Sequence, residues 1–225
     1  NLSIFLSKIP QPNGPFEQIA KVYPGIKLIA APLIKTTCIP FSYTPQTKWI
    51  FFSSKNAIRY FFEQSPTLAS EVKFGVISVT SEEYLKTFRK HPEFVGQGTD
   101  LIKIGKAFAD VLQNDSVLFP QAMDSLRTIQ KQIAFTNTLY DLYTYKTIIL
   151  SDFDIPYTDI LIFTSPSNVE AYIRKYKIDV RQTVIAMGQT TKFKLAQVGI
   201  KNILMPTTFD EEGLYTILRK TISLR

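Results

Sequence analysis

The 225-residue chain holds one cysteine, Cys38, and one histidine, His91. A single cysteine excludes an intrachain disulfide and any cysteine-based zinc site. With one histidine, a metal site would need carboxylates, and a Ser-His-Asp triad would have to recruit His91. That residue stands beside Pro92 in a polar stretch and reads as a solvated loop histidine. Neither GxGxxG nor GxxxxGK(S/T) occurs, so no motif supports nucleotide binding. No run approaches ~18 consecutive apolar residues, and residues 1–10 lack the basic-then-apolar pattern of a leader. We therefore expect a cytoplasmic protein with no cofactor, no metal and no membrane association.

Apolar residues make up 45% and charged residues 20% of the chain, close to the average for folded soluble domains, so a sizeable core is expected. Lys and Arg outnumber Asp and Glu by 26 to 19, a formal charge of +7 that favours anionic partners. The basic residues are scattered. Pairs such as Arg89-Lys90 and Lys192-Phe193-Lys194 are too short to track a phosphate backbone, which argues against nucleic acid.

Apolar runs alternate with helical patterns along the chain. Strands are expected at residues 2–6, 26–30, 49–52, 74–79, 94–95, 116–119, 160–163, 184–187 and 203–205, and a helix near 16–22. Helices between most strands argue for parallel sheets with crossovers. Two extended stretches, roughly 28–40 and 139–150, exceed the usual ~5 to 6 residue strand with no helix inserted. If both are linkers, residues 1–35 and 148–225 form one discontinuous α/β lobe and residues 36–147 form an inserted α/β lobe.

An internal resemblance favours this division. Trp49 through Ser54, with a helix carrying Ile58, matches Ile160 through Ser165, with Val169, at a constant offset of 111 residues. Thr80-Ser81 and Leu85 match Thr190-Thr191 and Leu195 at an offset of 110. The competing account is chance similarity between generic α/β units, in which an apolar strand followed by a hydroxyl cap is common.

Each matched unit leaves a buried strand through hydroxyl residues: Ser53-Ser54, Thr80-Ser81, Thr164-Ser165 and Thr190-Thr191. Any one of them is explained as an N-cap, which contributes ~1 kcal/mol without a ligand. All lie where parallel α/β sheets bind ligands, at the C-terminal strand ends, and free helix N-terminal N–H groups there attract anions. Met187-Gly188-Gln189-Thr190-Thr191 is the sharpest local feature, with Gly188 allowing close backbone approach at a helix mouth. Thr208 or Asp210 is expected to cap the last helix.

Phe163-Thr164-Ser165-Pro166-Ser167, Gly188-Gln189-Thr190-Thr191, Pro206 through Gly213-Leu214, Tyr145-Lys146-Thr147 and Ser53-Ser54-x-Asn56-Ala57 together resemble the uroporphyrinogen-III synthase family in order and spacing. The resemblance extends over nearly the whole chain. It implies two similar flavodoxin-like α/β lobes with parallel sheets, joined by a two-stranded linker, binding hydroxymethylbilane in the cleft between them. The implied reaction is cyclisation of this linear tetrapyrrole with loss of water and inversion of ring D, by an enzyme that acts as a monomer without a cofactor. Tyr145 matches the tyrosine of a Tyr-x-Thr motif and is the implied general acid, the alternative being an aromatic that fills a strand face. Ser53, Ser54, Ser81, Thr164, Ser165, Ser167, Gly188, Thr190 and Thr191 are the implied substrate-binding residues. Where the family's inserted lobe often has Gly followed three residues later by Thr, this chain has Ser78 and Ser81. A non-catalytic two-lobe binding protein for a small anionic ligand is the competing function.

Overall fold

A computed structural model describes residues 2–223. The chain opens with β1 (Leu2–Leu6), α1 (Ile19–Val22), β2 (Ile26–Ala30) and β3 (Ile34–Cys38). Next come β4 (Trp49–Phe52), α2 (Lys55–Phe62), β5 (Lys73–Val76), α3 (Val79–Lys86), β6 (Phe94–Val95), α4 (Leu101–Leu112) and β7 (Val117–Ala122). A short 3-10 turn at Gln130–Gln132 precedes β8 (Leu139–Ile149). The chain ends with β9 (Ile160–Phe163), α5 (Pro166–Ile173), β10 (Thr183–Ala186), α6 (Gln189–Gln197), β11 (Ile203–Leu204) and α7 (Glu211–Ser223).

These elements fall into two compact units, one running up to Lys35 and resuming at Ile148, the other spanning Thr36–Thr147. The first unit has a sheet of order β11-β10-β9-β1-β2 with parallel pairings. Its strands are apolar on both faces because both are covered by helices. Phe5, Leu161, Phe163 and Val184 pack with Val169, Tyr172 and Leu195 of α5 and α6. On the opposite face Ile4, Leu6, Ile160, Ile162 and Ile185 pack with Phe16, Leu214 and Leu218.

The second unit repeats the plan in a sheet of order β3-β8-β7-β4-β5-β6. Ile50, Phe52, Phe74, Val76 and Leu118 meet Ala57, Ile58, Phe61 and Leu85 of α2 and α3. Trp49, Phe51, Val117 and Phe119 meet Ile104, Phe108 and Leu112 of α4. The pairing of β3 with β8 breaks the parallel rule. Leu150 N–H donates to Leu33 C=O, and Ile39 N–H to Thr144 C=O, so one index rises as the other falls and the pair is antiparallel.

Several local expectations need correction. The helix expected over 16–22 is the single turn α1, since Gln18 supplies no side-chain cap and Pro24 follows closely. The stretch 28–40 is interrupted between β2 and β3, where Pro32 has no N–H to offer a ladder. Val79 opens α3 rather than ending β5: the Ser78 side chain accepts from the Ser81 N–H and starts the helix one residue before the apolar run stops.

Candidate functional site

In the second unit β4 ends at Phe52, Ser53 is exposed, and Ser54 caps α2 by accepting the Ala57 N–H at 3.0 Å. The Ser54 Oγ also lies 3.1 Å from the Tyr145 hydroxyl. Tyr145 reaches this place through a bulge. Gln121 pairs with Tyr143 and Ala122 with Tyr145, which leaves Thr144 as an extra residue in β8. Unbroken alternation would put Tyr145 on the same face as Tyr143, whereas the extra residue turns it to the face of Leu142 and Ala122, where it is 8% exposed. Burial pushes the Tyr145 phenol above the ordinary tyrosine range, with the Ser54 hydrogen bond opposing and Asp124 and Tyr60 adding to the rise.

At the next strand end Ser78 is the cap of α3, correcting the assignment of that role to Thr80-Ser81. The Ser78 hydroxyl accepts from Ser81 N–H at 3.3 Å, donates to the Ser81 hydroxyl at 3.2 Å and lies 3.1 Å from that of Thr80. Ser81 is buried and spends its hydroxyl inside the first helical turn.

In the first unit Ser165 caps α5, accepting the Asn168 backbone N–H at 3.2 Å and its Nδ2 at 2.9 Å. Asn168 is buried, and its orientation is fixed by Leu33 N–H, which donates to Oδ1 at 3.1 Å. Thr164 is held by β1: its N–H donates to Ser7 Oγ at 2.9 Å, and the two hydroxyls lie 3.1 Å apart. A hydroxyl has two lone pairs and one hydrogen. The two donors from Asn168 fill those of Ser165 and leave its one hydrogen uncommitted by these bonds. Ser167 sits half-buried in the first turn of α5.

The matching junction at α6 differs. Gly188 holds the cap position in the same extended geometry, φ −160°, and no side chain caps the helix. That φ is open to any residue, and a Cβ would meet only the Phe209 ring, at an ordinary 3.6 Å. Neither strain nor crowding within the protein therefore requires glycine here. What the glycine does is leave the first-turn N–H groups without a capping side chain. Thr190 and Thr191 are not caps either: they occupy the first turn of α6, Thr190 half-buried and Thr191 buried.

The last helix starts as expected from its own residues, with Asp210 Oδ1 accepting Gly213 N–H at 2.7 Å and Thr208 donating to the same carboxylate. Glu211 is buried, accepts Gln11 N–H and pairs with Lys8 at 2.8 Å, tying the loop after β1 to α7. A cavity of about 550 Å³ lined by Thr216, Arg219, Lys220 and Ser223 follows the later turns of α7, away from these strand ends. Among the described residues, no three His, Cys, Asp or Glu side chains converge as they would around a metal, and no helix is long and apolar enough to cross a membrane.

Sequence reasoning missed Asn168, Ser7 and Tyr60. The first had a signal, since Ser165-x-x-Asn168 has the spacing of a capping box with Asn in place of Glu or Gln. Ser7 and Tyr60 had none, because their partners lie far along the chain.

The arrangement offers hydroxyl and backbone donors at the C-terminal strand ends of each sheet, and the buried phenol of Tyr145 beside Ser54. Such donors suit carboxylates better than any electrophile. No curated relative matches the chain. It is similar in fold to the uroporphyrinogen-III synthetase of Helicobacter pylori 26695, at 17% identity with a TM-score of 0.70 over 100% of both chains. A mutant uroporphyrinogen III synthase from the extremely thermophilic bacterium Thermus thermophilus is also similar, at 14% identity and a TM-score of 0.67, again over 100% of both chains. The family model described as HEM4, uroporphyrinogen-III synthase HemD, matches residues 22–218, a span that takes in every hydroxyl junction described above, and the chain belongs to that family.

Proposed function

We infer that the protein converts hydroxymethylbilane into uroporphyrinogen III, as a cyclising lyase of porphyrin biosynthesis. The observation that carries this is the family match over residues 22–218. In the reaction, the hydroxyl of the ring A hydroxymethyl group leaves as water, and its carbon stays on the ring as the methylene of an azafulvene cation. Ring D attacks through its already substituted carbon, and the spiro intermediate fragments and recloses with ring D inverted. The substrate closes without help in the uninverted order, so control of geometry is the main task.

The hydroxyls and first-turn N–H groups are suited to that task. Substrate acetates and propionates would accept from the uncommitted hydrogen of Ser165, from Ser53, Ser167 and Thr190, and from the uncapped turn after Gly188 that ends at Thr191. Thr164, Ser81 and Ser54 serve at one remove, because their hydroxyls are engaged within their own units. Tyr145 is the general acid of this reading. Its proton would go to the departing hydroxyl as the C–O bond breaks, and the developing azafulvene cation would offset the phenolate left behind. With Ser54 as the donor in their 3.1 Å bond, the buried phenol is held in place and keeps its own proton for the substrate. We place the enzyme in the cytoplasm as a monomer, a reading supported by a single exposed cysteine and by both units lying on one chain.

Incubation with hydroxymethylbilane, followed by oxidation and separation of the uroporphyrin isomers, tests the function. The type III isomer is expected; only type I above background would leave a non-catalytic anion-binding protein. Tyr145→Phe should lower kcat by about 100-fold and leave KM little changed. Acid catalysis needs the protonated phenol, whose pKa is raised, so the rate should hold through neutral pH and fall only in the far alkaline range.

A further inference from the structure

The acid reading for Tyr145 leaves open what aims a phenol carried on an edge-side strand. Its ring lies on that of Tyr60, with centroids 5.3 Å apart and planes at 21°. Tyr60 belongs to α2, the helix that Ser54 caps, and is itself 5% exposed. Its hydroxyl reaches the other side of the same layer, donating to the Thr36 carbonyl at 2.9 Å and lying 2.8 Å from the Thr36 hydroxyl. Thr36 is on β3, which neighbours β8 in the sheet. Tyr145 is therefore restrained at both ends: Ser54 holds the oxygen and Tyr60 holds the plane of the ring.

The bulge supplies the third restraint. With Thr144 taking up the extra position, Tyr145 turns onto the α2 face, and the Thr144 hydroxyl reaches back to the Gln121 carbonyl at 3.4 Å. A tyrosine that merely filled the strand face would need neither a parallel ring nor a bulge, since ordinary alternation already delivers side chains to both faces.

We propose that Tyr60 is a positioning residue for this reaction, clamping the Tyr145 ring against α2 so that its hydroxyl stays on Ser54 and at the strand-end edge. The proposal rests on the acid reading of Tyr145. Tyr60 itself touches no reacting atom.

Kinetics of a double-mutant cycle test it. Tyr60→Leu removes the flat face and should lower kcat about tenfold, with KM within about twofold, because the acid loses its aim and the substrate grip is untouched. The alkaline limb of the pH–rate profile should also move to lower pH, since water reaching the phenol relieves the burial that raises it. Tyr60→Phe keeps the stack and should stay within about threefold of the parent. In a Tyr145→Phe background, Tyr60→Leu should cost nothing further beyond about twofold. Tyr60→Met, a flexible side chain of similar bulk, reads the same prediction if the leucine variant does not fold.

An equal loss from Tyr60→Leu in both backgrounds would make Tyr60 a packing residue and overturn the proposal, as would wild-type kcat in the Leu or Met variant. Wild-type turnover in Tyr145→Phe alone would instead remove the acid reading, and the clamp would have nothing to aim.

Discussion

The strand-to-helix junctions of the two units form matched pairs whose differences are informative. Ser54 and Ser165 are caps of the same kind, each accepting the N–H of the residue three positions on. In the first unit that residue is Asn168, whose amide supplies a second donor to the serine. In the second it is Ala57, and the second hydrogen-bond partner comes from Tyr145 on a distant strand. One backbone frame thus serves a static polar hub in one unit and a proton-bearing group in the other. The second pair differs in the opposite sense. Ser78 closes its helix with its own hydroxyl, whereas Gly188 leaves the equivalent turn uncapped.

Breaking the hub should have the largest effect on stability. Asn168→Ala would strand the buried Leu33 N–H and remove a donor from Thr164 and Ser165, at a cost of about 2 kcal/mol, or roughly 5 °C in Tm by thermal unfolding. If the protein unfolds no more easily, the hub is not what holds the β2–β3 connection.

Gly188→Ser would make the two units alike. The added hydroxyl should close the first turn of α6, raise stability by a few tenths of a kcal/mol and raise KM several-fold, because it competes with a substrate carboxylate for the same donors. Unchanged KM would show that the uncapped turn is not used for binding. Ser78→Gly makes the converse change and should give the smallest effect, a loss of a few tenths of a kcal/mol in chemical denaturation.

Much of the fold was legible because parallel strands buried on both faces read as unbroken apolar runs: Trp49–Phe52 and Ile160–Phe163 appear with the bounds the residues suggest. The offset between the repeats was legible for the same reason, since Ser54 and Ser165 fill one role. Cap positions were less so. Thr80-Ser81 and Thr190-Thr191 look like caps in sequence, but the cap is the residue whose backbone is still extended, and that falls at Ser78 and Gly188. The setting of Tyr145 was least accessible. Simple alternation cannot foresee the bulge at Thr144, and nothing local links Tyr60 to a tyrosine so far along the chain.

The antiparallel crossing of β3 and β8 bears on how such a chain tolerates its long excursion. Leu33 and Leu150 are joined by a hydrogen bond of 2.9 Å, so the first unit meets the whole inserted segment as a loop with touching ends. Loop-closure entropy grows only with the logarithm of length, about 0.6 kcal/mol for each doubling. The inserted segment folds on its own sheet and brings its ends together, so that even this modest term is largely offset before the first unit closes. Insertions into the excursion, at exposed turns of the second unit, should therefore cost the first unit almost nothing, whereas one residue added at the crossing would disturb the register of both strands.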